Sequence, residues 1–96
     1  MKPSVELEIH REEIRALIEK YGVTNPRIFG SVARGTDTDD SDLDILVDPA
    51  PETSLFELGA LHDELSQLLA CPVQILTPGD ISHHFRAEVL AYAISL

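Results

Sequence analysis

Basic residues are scarce in this sequence: seven lysines and arginines stand against seventeen aspartates and glutamates, a formal charge of −10. Binding to a phosphate backbone draws on clustered Lys and Arg that release counterions, so a direct DNA or RNA footprint is not expected. Such an imbalance suits cations, a basic protein surface or plain solubility. Cysteine is scarcer still. Cys71 stands alone, which excludes an internal disulfide and a cysteine-built zinc site, and a buried, inert thiol is its expected state. Long apolar runs are also missing. None approaches the roughly 20 residues that span a bilayer, and Met1-Lys2-Pro3-Ser4 leads into acidic residues rather than the apolar stretch of a signal peptide. A cytoplasmic protein without a membrane role is the expectation.

A hydrophobic fraction of 44% with 25% charge is ordinary for a soluble globular chain and argues against disorder. One domain over residues 1–96, with one modest core, is expected at this length. From about Val5 to Tyr21, Ile14, Leu17, Ile18 and Tyr21 recur at helical spacing between charged residues, and Gly22 follows as a left-handed cap would. Arg27-Ile28-Phe29-Gly30 and Leu43-Asp44-Ile45-Leu46-Val47 read as strands, the second apolar enough to be covered on both faces. Between them Ser31 to Asp42 has turn composition, with a short helical turn expected at Val32-Ala33-Arg34 and a loop after Gly35. Ser54 and Glu57 have capping-box spacing ahead of Leu58, Leu61, Leu65, Leu68 and Leu69. Pro72 to Leu76 reads as a third strand, and Phe85, Val89, Leu90 and Ile94 mark a last helix. The order helix, strand, strand, helix, strand, helix gives a small mixed sheet flanked by helices, of α/β or α+β class.

Asp42 and Asp44 are two apart in a predicted strand, so both carboxylates project from one face. Two such groups repel unless a cation lies between them, and Mg²⁺ takes hard oxygen ligands while keeping positions for phosphate and water. Solvated acids at a strand start are the plain alternative. Gly30-Ser31, at a strand end before a helical turn, lets backbone N–H groups approach a phosphate closely, and Ser31 adds a hydroxyl. Arg34 is a further phosphate partner or, in the plain reading, a salt-bridge partner of Asp37, Asp39 or Asp40. An EF-hand reading of Asp37 to Asp42 fails, because Asp42 falls where the turn glycine belongs. The histidines read as surface groups: His10 and His62 lie within helices, and neighbours such as His83 and His84 point about 100° apart.

The combination is more specific than its parts. Gly30-Ser31, ten intervening residues and then Asp42-Leu43-Asp44 resemble the signature of the polymerase-β-like nucleotidyltransferase superfamily. Phe29 to Gly35, Ser41 to Ile45, Val73 to Pro78 and Phe85 to Leu90 resemble the minimal nucleotidyltransferase family in particular. The resemblance implies Mg²⁺ on Asp42 and Asp44 as catalytic and metal-binding residues, and ATP near Gly30, Ser31 and Arg34. It also implies an antitoxin that pairs with a HEPN-domain toxin and transfers AMP to a hydroxyl of it, a tyrosine in some such pairs. A homo-oligomer is compatible with the sequence. At the third-strand position where catalytically complete members carry an acid, this chain has Gln74. An amide is a weaker ligand than carboxylate and cannot act as a base. The alternative is therefore an impaired nucleotidyltransferase fold that neutralises its toxin by binding alone. A transferase acting on RNA or small molecules is disfavoured by the acidity and by the lack of a separate substrate domain.

Overall fold

The structure, a computed structural model, describes all residues from Met1 to Leu96. Its elements are α1 (Pro3–Lys20), β1 (Thr24–Phe29), α2 (Gly30–Arg34), β2 (Leu43–Asp48), α3 (Leu55–Leu68), β3 (Val73–Leu76), a 3₁₀ turn (Pro78–Asp80), α4 (His83–Tyr92) and β4 (Ile94–Ser95). The four strands form one mixed sheet in the order β3-β2-β1-β4. β2 and β3 run parallel, as expected of strands joined through a crossover helix, while β1 is antiparallel to both β2 and β4. No helix is long and apolar enough to cross a membrane.

Strand alternation divides the apolar residues between two faces. Ile28, Leu43, Ile45, Val47 and Val73 meet Leu7, Ile14 and Ile18 of α1 and Leu61 and Leu65 of α3 in the main core. Cys71 is buried in the same cluster, as expected, and burial raises the pKa of its thiol. On the opposite face Phe29, Leu46 and Ile81 form a smaller cluster under Val89 and Ala93. Asp44 is two residues before Leu46 and so shares this thinly covered face. β2 is thus buried on both sides, which accounts for its near-continuous apolar run.

The helix ends follow local rules. Gly22 has φ +72° just past α1, a left-handed position that glycine occupies without a Cβ penalty. At the start of α3, Ser54 Oγ accepts from the Glu57 N–H at 3.2 Å while Glu57 reaches back to the Ser54 N–H, closing the expected capping box. β1 begins earlier than its apolar run suggests. It takes in Pro26 because the register shifts between Thr24 and Arg27, and such irregularities accommodate a residue with no N–H to donate.

Two expectations are corrected. Ile94 lies not in the last helix but in β4, paired with Ile28 on the free side of β1. Its four-residue spacing from Leu90 imitates helical periodicity, but the chain becomes extended at Ala93, where it satisfies the edge of β1. Phe85 and Leu90 consequently stay exposed, and only Val89 and Ala93 pin α4 to the sheet. Leu69 follows α3 rather than continuing its face, although its side chain is buried.

Glu6 is buried within α1 without an apolar reason. Its carboxylate accepts from the Ala70 N–H at 2.6 Å, a donor stranded where α3 gives way to the turn before β3. Lys20 and Tyr21 at the other end of α1 both donate to Glu64 of α3. The two helices are therefore bound by polar contacts at both ends of their shared groove. Replacing Glu6 by alanine leaves the Ala70 N–H without a partner and should destabilise the fold by about 1–3 kcal/mol. The midpoint of urea denaturation measures it, and an unchanged midpoint would show that this bond contributes nothing.

Candidate functional site

β1 ends and β2 begins at the same end of the sheet, and their register sets Phe29 opposite Asp44. β3 continues that row, with Gln74 as the register partner of Asp44. The backbone of Leu43 donates to the Pro72 carbonyl at 2.8 Å, which fixes the start of β2 against β3. Asp44 therefore sits in the middle of a three-strand row. Asp42 stands just outside β2 and is exposed.

Gly30 closes the row. Its φ is +72°, and a Cβ placed on it would overlap the Asp44 carboxylate, lying 3.2 Å from Cγ even before Oδ2 is considered. The carboxylate thus rests against bare backbone, at the turn where the chain leaves β1 for α2. Gly30 is the first residue of α2 rather than the last of a strand, and half-buried Ser31 follows it. Gly35, again at φ +72°, ends the helix, and the Thr36 N–H returns to the Ser31 carbonyl at 2.9 Å. Gly30 and Asp44 are in contact, Asp42 is near enough for its charge to act on Asp44, and Ser31 is placed by its neighbour Gly30.

Burial pushes the Asp44 carboxyl up from its ordinary 3.8 to about 6, and the nearby negative charge of Asp42 adds to the effect. The pair is therefore held in mutual repulsion at neutral pH. Such a donor set suits a hard divalent cation, which would relieve the repulsion and keep coordination positions open. No group of three or more His, Cys, Asp or Glu side chains converges to hold a metal. What β3 adds beside Asp44 is the neutral amide of Gln74.

Arg34 departs from the plain reading. Its guanidinium ignores Asp37, Asp39 and Asp40 and donates instead to Glu88 of α4 at 3.0 Å, with Tyr92 beneath it at 5.0 Å. The acidic loop has other partners: Asp37 accepts from the Ser4 N–H at 2.9 Å, and Asp39 lies 3.7 Å from the amino group of Met1. These carboxylates lean towards the start of α1. Glu88 falls within the run Phe85 to Leu90, and Tyr92 has no signal in the sequence beyond its four-residue spacing from Glu88 on one helix face. The histidines stay peripheral. His83 and His84 are exposed, with rings tilted 34° and 4.1 Å between their centroids, and His62 Nε2 lies 2.9 Å from the Val73 carbonyl.

Comparison with known proteins gives the family and the fold. The family model for the nucleotidyltransferase domain matches residues 7–96. A Methanocaldococcus jannaschii protein, provisionally named a protein adenylyltransferase, is 41% identical over 78 residues, covering 81% of this chain and 80% of its own length. The protein adenylyltransferase MntA of Thermococcus cleftensis is 34% identical over 84 residues, covering 88% and 82%. A solved structure provisionally named a minimal nucleotidyltransferase superposes with a TM-score of 0.85 at 35% identity, over 97% of this chain and 95% of its own. A toxin–antitoxin crystallised with AMP-PNP shares the fold alone, at 22% identity and a TM-score of 0.74 over 88% and 69% of the two chains.

The raised pKa of Asp44 has a sign that can be tested in the ligand-free protein. A folded-state value of about 6 against an ordinary 3.8 means that its contribution to stability is full below pH 4 and lost as pH rises through 6. Asp44→Asn escapes that loss. In EDTA the variant should match the wild type near pH 4 and melt several degrees higher at pH 7.5, as followed by thermal circular dichroism. A wild type at least as stable as the variant at pH 7.5 would show that burial does not oppose the charge.

Proposed function

The chain belongs to the nucleotidyltransferase domain family, and from that premise we propose that it transfers AMP from ATP to a hydroxyl group of a partner protein. The observation that carries the reading is the contact of the Asp44 carboxylate with the Gly30 backbone, under the charge of Asp42. A phosphate at this turn meets close-approaching backbone and the Ser31 hydroxyl on one side and the two carboxylates on the other. The names of the relatives supply the class of acceptor: a protein adenylyltransferase acts on protein.

In this reading Asp42 and Asp44 would hold Mg²⁺, with the Gln74 amide oxygen a weaker neighbour, and the ion when bound would offset charge on the phosphate oxygens. Gly30 admits the phosphates because it carries no side chain, and Ser31 donates a hydrogen bond to them. Arg34 adds its positive charge from the far end of α2. The acceptor hydroxyl attacks the α-phosphorus, the bond to the pyrophosphate oxygen breaks, and the hydroxyl proton passes to solvent because Gln74 cannot take it. Catalysis is then alignment and electrostatics, with general-base assistance missing. The acceptor is a tyrosine of a HEPN-type toxin, neutralised by the modification. In support, the Thermococcus cleftensis relative is named MntA, and the toxin–antitoxin crystallised with AMP-PNP shares the fold.

A second reading is favoured by one observation, the register of Gln74 with Asp44. With an amide in that row, the domain neutralises its partner by covering it and needs no transfer. The two separate cleanly. The complex of this chain with its toxin, incubated with Mg²⁺ and ATP labelled at the α-phosphate, should place label on the toxin, and Asp42→Asn with Asp44→Asn should remove it. If the wild type leaves the toxin unlabelled while the double variant still neutralises it, transfer gives way to binding alone.

Gln74 also yields a gain-of-function prediction. General-base assistance is typically worth about 10²–10⁴-fold. Gln74→Glu restores a carboxylate beside Asp44 and should speed single-turnover labelling by at least about tenfold at pH 8. An unchanged rate would place the missing base elsewhere.

A further inference from the structure

Asp42 lies outside the ladder of β2, so strand pairing fixes Leu43 but not the carboxylate one residue earlier. Its place depends on the loop that leaves α2 at Gly35. Every residue from Arg34 to Asp40 is exposed except Asp37, which is half-buried. The Asp37 carboxylate accepts from the Ser4 N–H at 2.9 Å, 33 residues away in sequence. Ser4 stands in the first turn of α1, where N–H groups have no partner within the helix. Lys2 occupies the capping position but supplies no side-chain bond, because an ammonium only donates. An N-cap is ordinarily the residue just before its helix. Here α1 takes its acceptor from the loop that leads to Asp42.

Resting on the reading of Asp42 and Asp44 as ligands of a metal ion, we propose that Asp37 is a positioning residue for Asp42. Its bond ties the middle of the loop to a well-anchored stretch of α1: Pro3, Glu6 and Leu7 are buried, and Glu6 is held in turn by the Ala70 N–H. Only four residues separate Asp37 from Asp42. They are drawn into a turn, in which the Thr38 N–H donates to the Ser41 hydroxyl at 2.8 Å and the Ser41 N–H donates to the Thr38 carbonyl at 3.1 Å. Before Asp37, the Thr36 N–H donates to the Ser31 carbonyl at 2.9 Å, and after Asp42 the Leu43 N–H donates to Pro72. Held at those two ends alone, the segment between them could swing the Asp42 carboxylate away from Asp44. The bond from Ser4 removes that freedom, so the ion meets a loop whose ordering entropy is already lost in folding. Asp39 is the poorer tether, since its 3.7 Å ion pair with the amino group of Met1 joins two exposed groups and contributes little.

Asp37→Ala removes both the helix cap and the tether. Lys2→Ser added to it gives α1 a hydroxyl acceptor of its own, which restores the cap without the tether. In the metal-free protein the Ser41 amide of this double variant should exchange with D₂O about tenfold faster than in the wild type. The Leu43 amide, bonded to Pro72, reports the fold as a whole and should keep its rate. Mn²⁺ titration followed by electron paramagnetic resonance, without nucleotide, should show an affinity about tenfold lower or worse in Asp37→Ala and in the double variant. Asp37→Asn should bind Mn²⁺ as the wild type does, because its amide oxygen accepts the same N–H. Unchanged exchange at Ser41 in the double variant would overturn the tether. Unchanged Mn²⁺ affinity there would overturn the positioning of Asp42, as would an Asp37→Asn variant as weak as Asp37→Ala. A wild type that binds no Mn²⁺ would overturn the metal reading and the positioning role with it, while the exchange rates still decide the tether.

Discussion

The carboxylate of Asp44 lies against the α-carbon of Gly30, and no other residue at position 30 leaves room for it. That contact exists because β1 and β2 are antiparallel neighbours in a register that sets Phe29 opposite Asp44. A one-residue slip would turn Asp44 into the main core and Ile45 out of it, at the cost of an unpaired buried charge and a lost apolar side chain. The packing of Leu43, Ile45 and Val47 against α1 and α3 therefore does more than hold the sheet together. It fixes which side of β2 carries the acid, and the turn into α2 then meets that acid from above.

The two faces of the sheet divide the labour unevenly. α1 and α3 cover one face fully, and their ends are joined by Glu6 to Ala70 and by Lys20 and Tyr21 to Glu64. α4 covers only part of the other through Val89 and Ala93. The uncovered remainder holds Asp44 and the register position of Gln74. Stability is concentrated behind the sheet and access in front of it, so Asp44 can be kept in a partly buried, repulsive setting without threatening the fold. Stored repulsion of this kind is common where charge must later be neutralised by a ligand.

Features governed by neighbours in the chain were legible in the sequence. The capping box at Ser54, the glycine cap after α1 and the buried run of β2 each rest on a few adjacent residues, and each is present. The approach of Gly30 to Asp44 was legible through the spacing of the glycine-serine and paired-aspartate motifs. What escaped depends on distant partners. Glu6 reads as one more surface acid on an amphipathic helix until Ala70, 64 residues later, presents an N–H to it. Arg27 carries no sign in the sequence of a buried partner, yet it is buried with both terminal nitrogens 3.2 Å from Asp48 across the sheet. Arg34 chose an acid on α4 over three in its own loop, because α4 packs against α2 while Asp37 is drawn away by Ser4. Ile94 kept helical spacing after the helix had ended, and only the free side of β1 decided otherwise.

The sheet ends on one side in β4, only two residues long, and on the other in β3, four residues long and followed closely by Pro78. Neither border offers a foreign strand a long row of free amide and carbonyl groups, and a ladder started there would have to break off almost at once. Intermolecular strand addition, the usual route from an open sheet to fibrils, is thereby starved of template even where Phe85, Leu90 and Ile94 leave greasy surface nearby. Lengthening the final strand by a few β-branched residues would remove that protection.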